Sequence, residues 1–87
     1  MPKVRLTKSA THAFRGLPPT LREAALSALT ALETDGQAGH RLRGRLAGVW
    51  SLRVGAYRFL YVIEEGGALV RVLAVRHRSV AYDNDPL

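Results

Sequence analysis

Near the N-terminus, Lys3 to Leu6 alternates polar and apolar residues, the period-two pattern of a half-buried strand. Thr7 or Ser9 can then cap a helix, because either hydroxyl can accept from the unpaired N–H groups of a first turn. Ala10, Phe14 and Leu17 share one face of that helix. The pair Pro18-Pro19 ends it, since a proline ring supplies no donor and collides with the preceding turn. Thr20 is placed to cap a second helix, in which Leu21, Ala25, Leu29 and Leu32 recur at helical spacing, and Gly36 stops it. From Gln37 to Gly48 the glycines and arginines show no period, which predicts a loop with a turn of structure near Leu42, a mobile basic flap.

Beyond the flap the pattern is that of strands and turns: Val49 to Val54, a Gly55-Ala56 turn, Tyr57 to Ile63, a Glu64-Glu65-Gly66-Gly67 turn, and Ala68 to Val75. Two helices ahead of an antiparallel meander predict an α+β fold of order β-α-α-β-β-β. Two N-terminal helices then pack on one face of a small, mainly antiparallel sheet. The 87 residues are expected to form one domain, because a chain of this length buries roughly 60% of its unfolded surface and supports one modest core.

Composition adds exclusions. The 47% hydrophobic and 23% charged content is that of a globular domain, not a disordered tail. Absence of cysteine rules out disulfide staples and thiolate metal sites. No stretch approaches the roughly 18 apolar residues of a membrane span, and residues 1–7 lack the apolar stretch of an export signal, so a cytoplasmic protein without membrane partners is expected.

Charge changes the picture more. The formal net charge is +6, and between Gly36 and Ile63 lie Arg41, Arg43, Arg45, Arg53 and Arg58 with no acidic residue. Such an acid-free tract makes a positive surface, whose commonest partner is nucleic acid. Among the 13 Lys and Arg residues only Lys3 and Lys8 are lysine, and a guanidinium fork matches phosphate oxygens. A GC-rich coding bias would explain that preference equally well, but not the missing acids. The last apolar run, Leu69 to Val75, leads straight into Arg76-His77-Arg78-Ser79-Val80-Ala81-Tyr82, which sets two guanidiniums, an imidazole and a phenol at the rim of the sheet. With strand alternation, Ser51 and Arg53 face away from Trp50, Leu52 and Val54, and Arg76 and Arg78 face away from His77 if the strand continues that far. Arg53, Arg58 and Arg76 converge only in a suitable register, since a one-residue slip reverses every side chain.

The succession Leu42-Arg43-Gly44, Trp50-Ser51-Leu52-Arg53-Val54, Gly55-Ala56-Tyr57-Arg58-Phe59-Leu60-Tyr61 and Arg76-His77-Arg78-Ser79-Val80-Ala81-Tyr82 resembles the RelE/ParE superfamily of bacterial toxins, specifically the RelE-type mRNA interferases, over nearly the whole chain. The resemblance implies a RelE-like fold and a toxin that enters the ribosomal A site, cleaves mRNA there, and is silenced by a cognate antitoxin with a helical, acidic segment. It implies a metal-independent reaction without cofactor, and DNA binding only through the toxin–antitoxin complex. By position, Arg58 matches the arginine after Gly-x-Tyr, Arg76 the arginine beyond the last strand, and Tyr82 the tyrosine that stacks on a base. Arg53 and Ser51 fall where the best-studied branch carries lysines; Arg53 can stabilise charge but is a poor base. Arg78 would support the phosphate, Arg43 and Arg45 would touch RNA from the flap, and His77 is the candidate base or acid, because imidazole exchanges a proton near neutrality.

Other readings compete. Arg58 could pair with Glu64 or Glu65, Arg76 and Arg78 could be solubilising charges, and Tyr82 could pack over the rim of the core. Trp50 and Tyr61 read as core residues rather than a base platform. His12 and His40 have no spacing partner for a metal and receive no function, and Gly66-Gly67 is a turn rather than a phosphate cradle. A ParE-type branch on the same scaffold poisons DNA gyrase without cutting RNA. A plain basic nucleic-acid-binding module or a decayed toxin would also carry this charge.

Overall fold

The computed structural model describes residues 2–80. Its elements are β1 (Lys3–Leu6), α1 (Lys8–Arg15), α2 (Pro19–Thr34), β2 (His40–Arg41), a 3₁₀ turn at Gly44–Leu46, β3 (Trp50–Val54), β4 (Tyr57–Glu64), a second 3₁₀ turn at Glu65–Gly67 and β5 (Leu69–His77). They form one five-stranded sheet in the order β1-β5-β4-β3-β2, with β1 parallel to β5 and every other pair antiparallel. This is the expected α+β architecture with one strand added.

Thr7 caps α1: its hydroxyl accepts from the Ala10 N–H at 3.1 Å. For α2 the expected cap moves. Pro18 holds the capping position and Pro19 opens the helix, where a missing N–H costs nothing, so Thr20 lies inside the first turn. The helix closes at Thr34, with Asp35 as its C-terminal cap.

Both helices cover the same side of the sheet. Ala10, Leu17, Ala25, Leu29 and Leu32 pack against Val54, Phe59, Tyr61, Val70, Val72 and Val75 in one cluster. Leu32, Phe59, Val70 and Val72 are wholly buried, each contributing about 2 kcal/mol of transfer free energy. Among the described residues no helix is long and apolar enough to cross a membrane.

The flap is more ordered than its sequence suggests. His40 and Arg41 pair with Ser51 and Trp50 as a two-residue edge strand, and the Leu42 N–H donates to the Val49 carbonyl at 2.8 Å, closing the loop at its base. Tyr61 anchors the approach to it: its hydroxyl donates to the Gly36 carbonyl (2.8 Å) and accepts from the Gly39 N–H (3.1 Å). Gly39 is held close, since a Cβ there would lie 2.7 Å from both the Ser51 carbonyl oxygen and the Tyr61 hydroxyl.

Two local devices set the register. Gly55, at φ 58°, permits the two-residue turn with Ala56, so Val54 opposes Tyr57 and Arg53 opposes Arg58. In β5 a bulge falls at Leu73: Tyr61 pairs with Val72, but Leu60 pairs with Ala74. The Leu73 carbonyl accepts the Thr7 hydroxyl at 3.0 Å, and the Thr7 N–H donates to the Val72 carbonyl at 3.0 Å. The α1 cap and the β5 bulge are thus held by one threonine.

Candidate active site

Without the bulge, with Leu73 paired in its turn, Arg58 would oppose Val75 and Arg76 would turn toward the helices. With it, Arg58 opposes Arg76. Arg53 on β3, Arg58 on β4 and Arg76 on β5 therefore form one transverse row on the sheet face away from the helices. At about 4.8 Å per strand the outer two Cα atoms are about 10 Å apart, within the reach of long side chains; Arg53 and Arg58 line one depression, while Arg76 Nη1 donates to the Val75 carbonyl at 3.4 Å. Arg53 is exposed, and Arg58 and Arg76 are half-buried.

A row of like charges directly across a sheet works against folding. Such a conflict between fold and side-chain choice marks functional ground. The competing ion pair for Arg58 does not form with Glu64. That carboxylate accepts from Arg71 Nε at 2.6 Å, in an exposed pair at the opposite end of β4.

Ser51 shares the arginine face and is buried, and it opposes His40 across the β2–β3 pair. A shallow depression of about 180 Å³ is lined by His40, Leu42, Ser51, Arg53 and Arg58. His40 is thus a group that the sequence reading passed over. Its two-residue strand carries no periodic signal, and only pairing with Ser51 puts the imidazole beside the arginines.

His77 goes elsewhere. β5 runs through it, so alternation sends its ring away from Arg76 and toward Tyr57, its cross-strand partner, in an edge-to-face contact at 5.2 Å. Its Nδ1 lies 2.9 Å from the Ser79 hydroxyl and accepts from the Ser79 N–H at 3.2 Å. Arg78 is exposed just beyond β5, where its N–H donates to the Ala56 carbonyl at 2.7 Å and ties the strand end to the β3–β4 turn. Arg43 and Arg45 are exposed on the flap, and Arg43 borders a second depression on the β2 edge. Tyr82 lies outside the described residues. Among the described residues no cluster of three or more His, Asp or Glu is arranged to hold a metal ion.

Burial raises the Tyr61 phenol above the 10.0 of a free tyrosine, the Asp35 carboxylate adds to the rise, and the Gly39 N–H opposes it. Tyr61 is a packed core residue, as expected, with Trp50 stacked on it at 6.1 Å.

Comparison with known proteins gives concordant results. The family model described as the ParE toxin of the type II toxin–antitoxin system parDE matches residues 4–82. Toxin RelG of Mycobacterium tuberculosis is 37% identical over 81 residues, covering 91% of this chain and 93% of its own length. Toxin RelE of the same organism is 29% identical over 85 residues, covering 95% and 88%. Among solved structures, the M. tuberculosis toxin–antitoxin complex RelBE2 contains a chain 36% identical with a TM-score of 0.79, over 90% of this chain and all of that one. The isolated E. coli RelE toxin also superposes with a TM-score of 0.79, over 95% of this chain and 90% of its own, and at 19% identity it speaks to fold alone.

Proposed function

The chain belongs to the ParE toxin family of type II toxin–antitoxin systems and is a toxin of the RelE/RelG type; from this premise we propose that it acts, as a single domain in the cytoplasm, as a ribosome-dependent endoribonuclease cutting mRNA in the A site. The observation that carries the reading is the Arg53–Arg58–Arg76 row on the helix-free face, set by the Gly55 turn and the Leu73 bulge. A gyrase poison acting by binding alone has no need of three arginines set side by side on one face of the sheet.

The reaction that suits this face is an in-line transesterification requiring no metal. The ribose 2′-oxygen attacks the adjacent phosphorus as its proton passes to a base. The bond from phosphorus to the 5′-oxygen breaks, and the leaving oxygen takes up a proton, giving a 2′,3′-cyclic phosphate and a 5′-hydroxyl. The phosphorane gathers negative charge on its way, and fixed donors aimed at that charge are each worth about 3 kcal/mol. Arg58 and Arg76 take this role, Arg53 supports them from β3, and Arg78 assists from the strand end. None of these can act as base, because a guanidinium keeps its proton. We assign proton transfer to His40, whose place beside Ser51, Arg53 and Arg58 supports that role better than the helix-side position of His77. Tyr82 keeps the base-stacking role implied by the family.

The partner we assign is a cognate antitoxin, supported by the 36% identical toxin chain in the RelBE2 complex. Purified protein added to a translation extract should yield mRNA cut within A-site codons. Arg58→Ala and Arg76→Ala should each abolish cutting and relieve growth arrest, with folding unchanged by circular dichroism. Intact mRNA together with inhibited gyrase would replace this reading with the ParE one.

A further inference from the structure

The β2 edge carries a second constellation that the arginine row does not use. Arg41 lies across from Trp50 in the β2–β3 pair, and its guanidinium carbon sits 5.7 Å from the indole centroid. Trp50 in turn stacks on Tyr61 at 6.1 Å with an interplanar angle of 20°, and Tyr61 is pinned by Gly36 and Gly39. A guanidinium plane is thereby anchored, through two aromatic rings, to the buried centre of the sheet.

The depression beside it, about 520 Å³, is lined by Gly39, His40, Arg41, Leu42, Arg43 and Trp50. Among the described residues no acidic one borders it. Two of its lining residues, His40 and Leu42, also line the depression that holds Arg53 and Arg58. The two hollows therefore adjoin across an edge strand only two residues long, and β2 is separated from β4 by two strand spacings, roughly 10 Å.

We propose that this edge depression is a second RNA site, which takes the single-stranded flank of the RNA whose phosphate lies on the arginine row. The proposal rests on the nuclease reading above for what occupies the row. A nucleobase stacks on the Arg41 plane backed by Trp50, and the phosphate beside it sits on Arg43. Bases splayed from a single strand stack on guanidinium planes as well as on aromatic rings, and such stacking tolerates any sequence because every base has a π-face. An acidic peptide would be served by positive charge alone and would gain nothing from a guanidinium set beside an indole.

Trp50 is the one tryptophan of the chain, so its emission reports this site directly. The test titrates purified toxin with a fluorescein-labelled, uncleavable 2′-O-methyl RNA oligonucleotide, following probe anisotropy and Trp50 emission together over a range of salt. RNA binding should change Trp50 emission with the same midpoint as the anisotropy. Arg41→Gln and Arg43→Gln should each weaken binding about tenfold, in the range of one lost stacked base. Each should also reduce the slope of log affinity against log salt by about 0.7. Arg41→Lys keeps the charge but not the plane; it should preserve the salt slope and still lose affinity. Arg53→Gln should leave the Trp50 response to bound RNA in place.

Binding that leaves Trp50 emission unchanged would overturn the proposal, as would absence of binding. A polyglutamate peptide saturating the Trp50 response at lower concentration than RNA would overturn it in favour of a protein partner. A full Trp50 response from a protein that fails to cut mRNA in the extract would support this site while removing the nuclease reading, so the two claims fail separately.

Discussion

Replacing Thr7 by valine tests the joint between α1 and the β5 bulge. Valine keeps the shape of threonine and removes the hydroxyl, which serves two partners at once: it accepts from the Ala10 N–H at 3.1 Å and donates to the Leu73 carbonyl at 3.0 Å. Loss of a threonine cap costs about 1 kcal/mol. A half-buried carbonyl left without its donor costs about 1 kcal/mol more. Thr7→Val should therefore destabilise by about 2 kcal/mol, which in a domain of this size lowers Tm by about 8–16 °C. Thr7→Ser retains the hydroxyl and should lose less than half as much. Thermal unfolding followed by circular dichroism, with urea titrations to confirm an unchanged m-value, measures both variants. Equal losses for valine and serine would refute the argument, because the methyl group rather than the hydroxyl would then carry the joint.

Two further predictions concern Tyr61 and the histidines. The folded-state pKa of Tyr61 is raised, so the stability its phenol contributes is fully present below pH 10 and is lost as pH climbs through the raised value. Tyr61→Phe should flatten that alkaline decline in urea titrations. At neutral pH it should cost about 2 kcal/mol through the hydrogen bonds to Gly36 and Gly39, and a wild-type stability that kept rising beyond pH 10 would contradict the assignment. His40→Gln should slow single-turnover mRNA cleavage by about 10²-fold or more and remove the limb of the pH–rate profile that reports the base. His77→Gln should leave the rate within a few-fold of wild type; the reverse ranking would return proton transfer to His77.

The chain disclosed its elements more readily than their relations. The β1 strand, the two helices and the three long strands follow from alternation and helical spacing, because those positions sit half in a core and half in water. Thr20 read as a cap because its residue type suits one, yet the adjacent prolines claim the helix start more strongly. The β2 strand was illegible, since two residues cannot display a period and its pairing comes from Tyr61 holding Gly36 and Gly39. The gathering of Arg53, Arg58 and Arg76 was open for the same kind of reason. It depends on a bulge at Leu73, inside Val72 to Val75, a stretch with no polar residue to show where its phase changes. The helix-side place of His77 follows from that register, and the place of His40 beside Arg53 and Arg58 from its pairing with Ser51.

The extra residue in β5 also separates two inheritances. Upstream of it the strand pairs with β1; downstream it carries Arg76 opposite Arg58. Pairing Leu73 in its turn, with no residue removed, would swap the guanidinium of Arg76 for the imidazole of His77 on the arginine face without altering any side chain. A one-codon insertion between the bulge and Arg76 would thus rewrite that face in a descendant toxin while sparing its architecture, whereas a one-codon deletion at Leu73 would only restore regular pairing and keep Arg58 opposite Arg76.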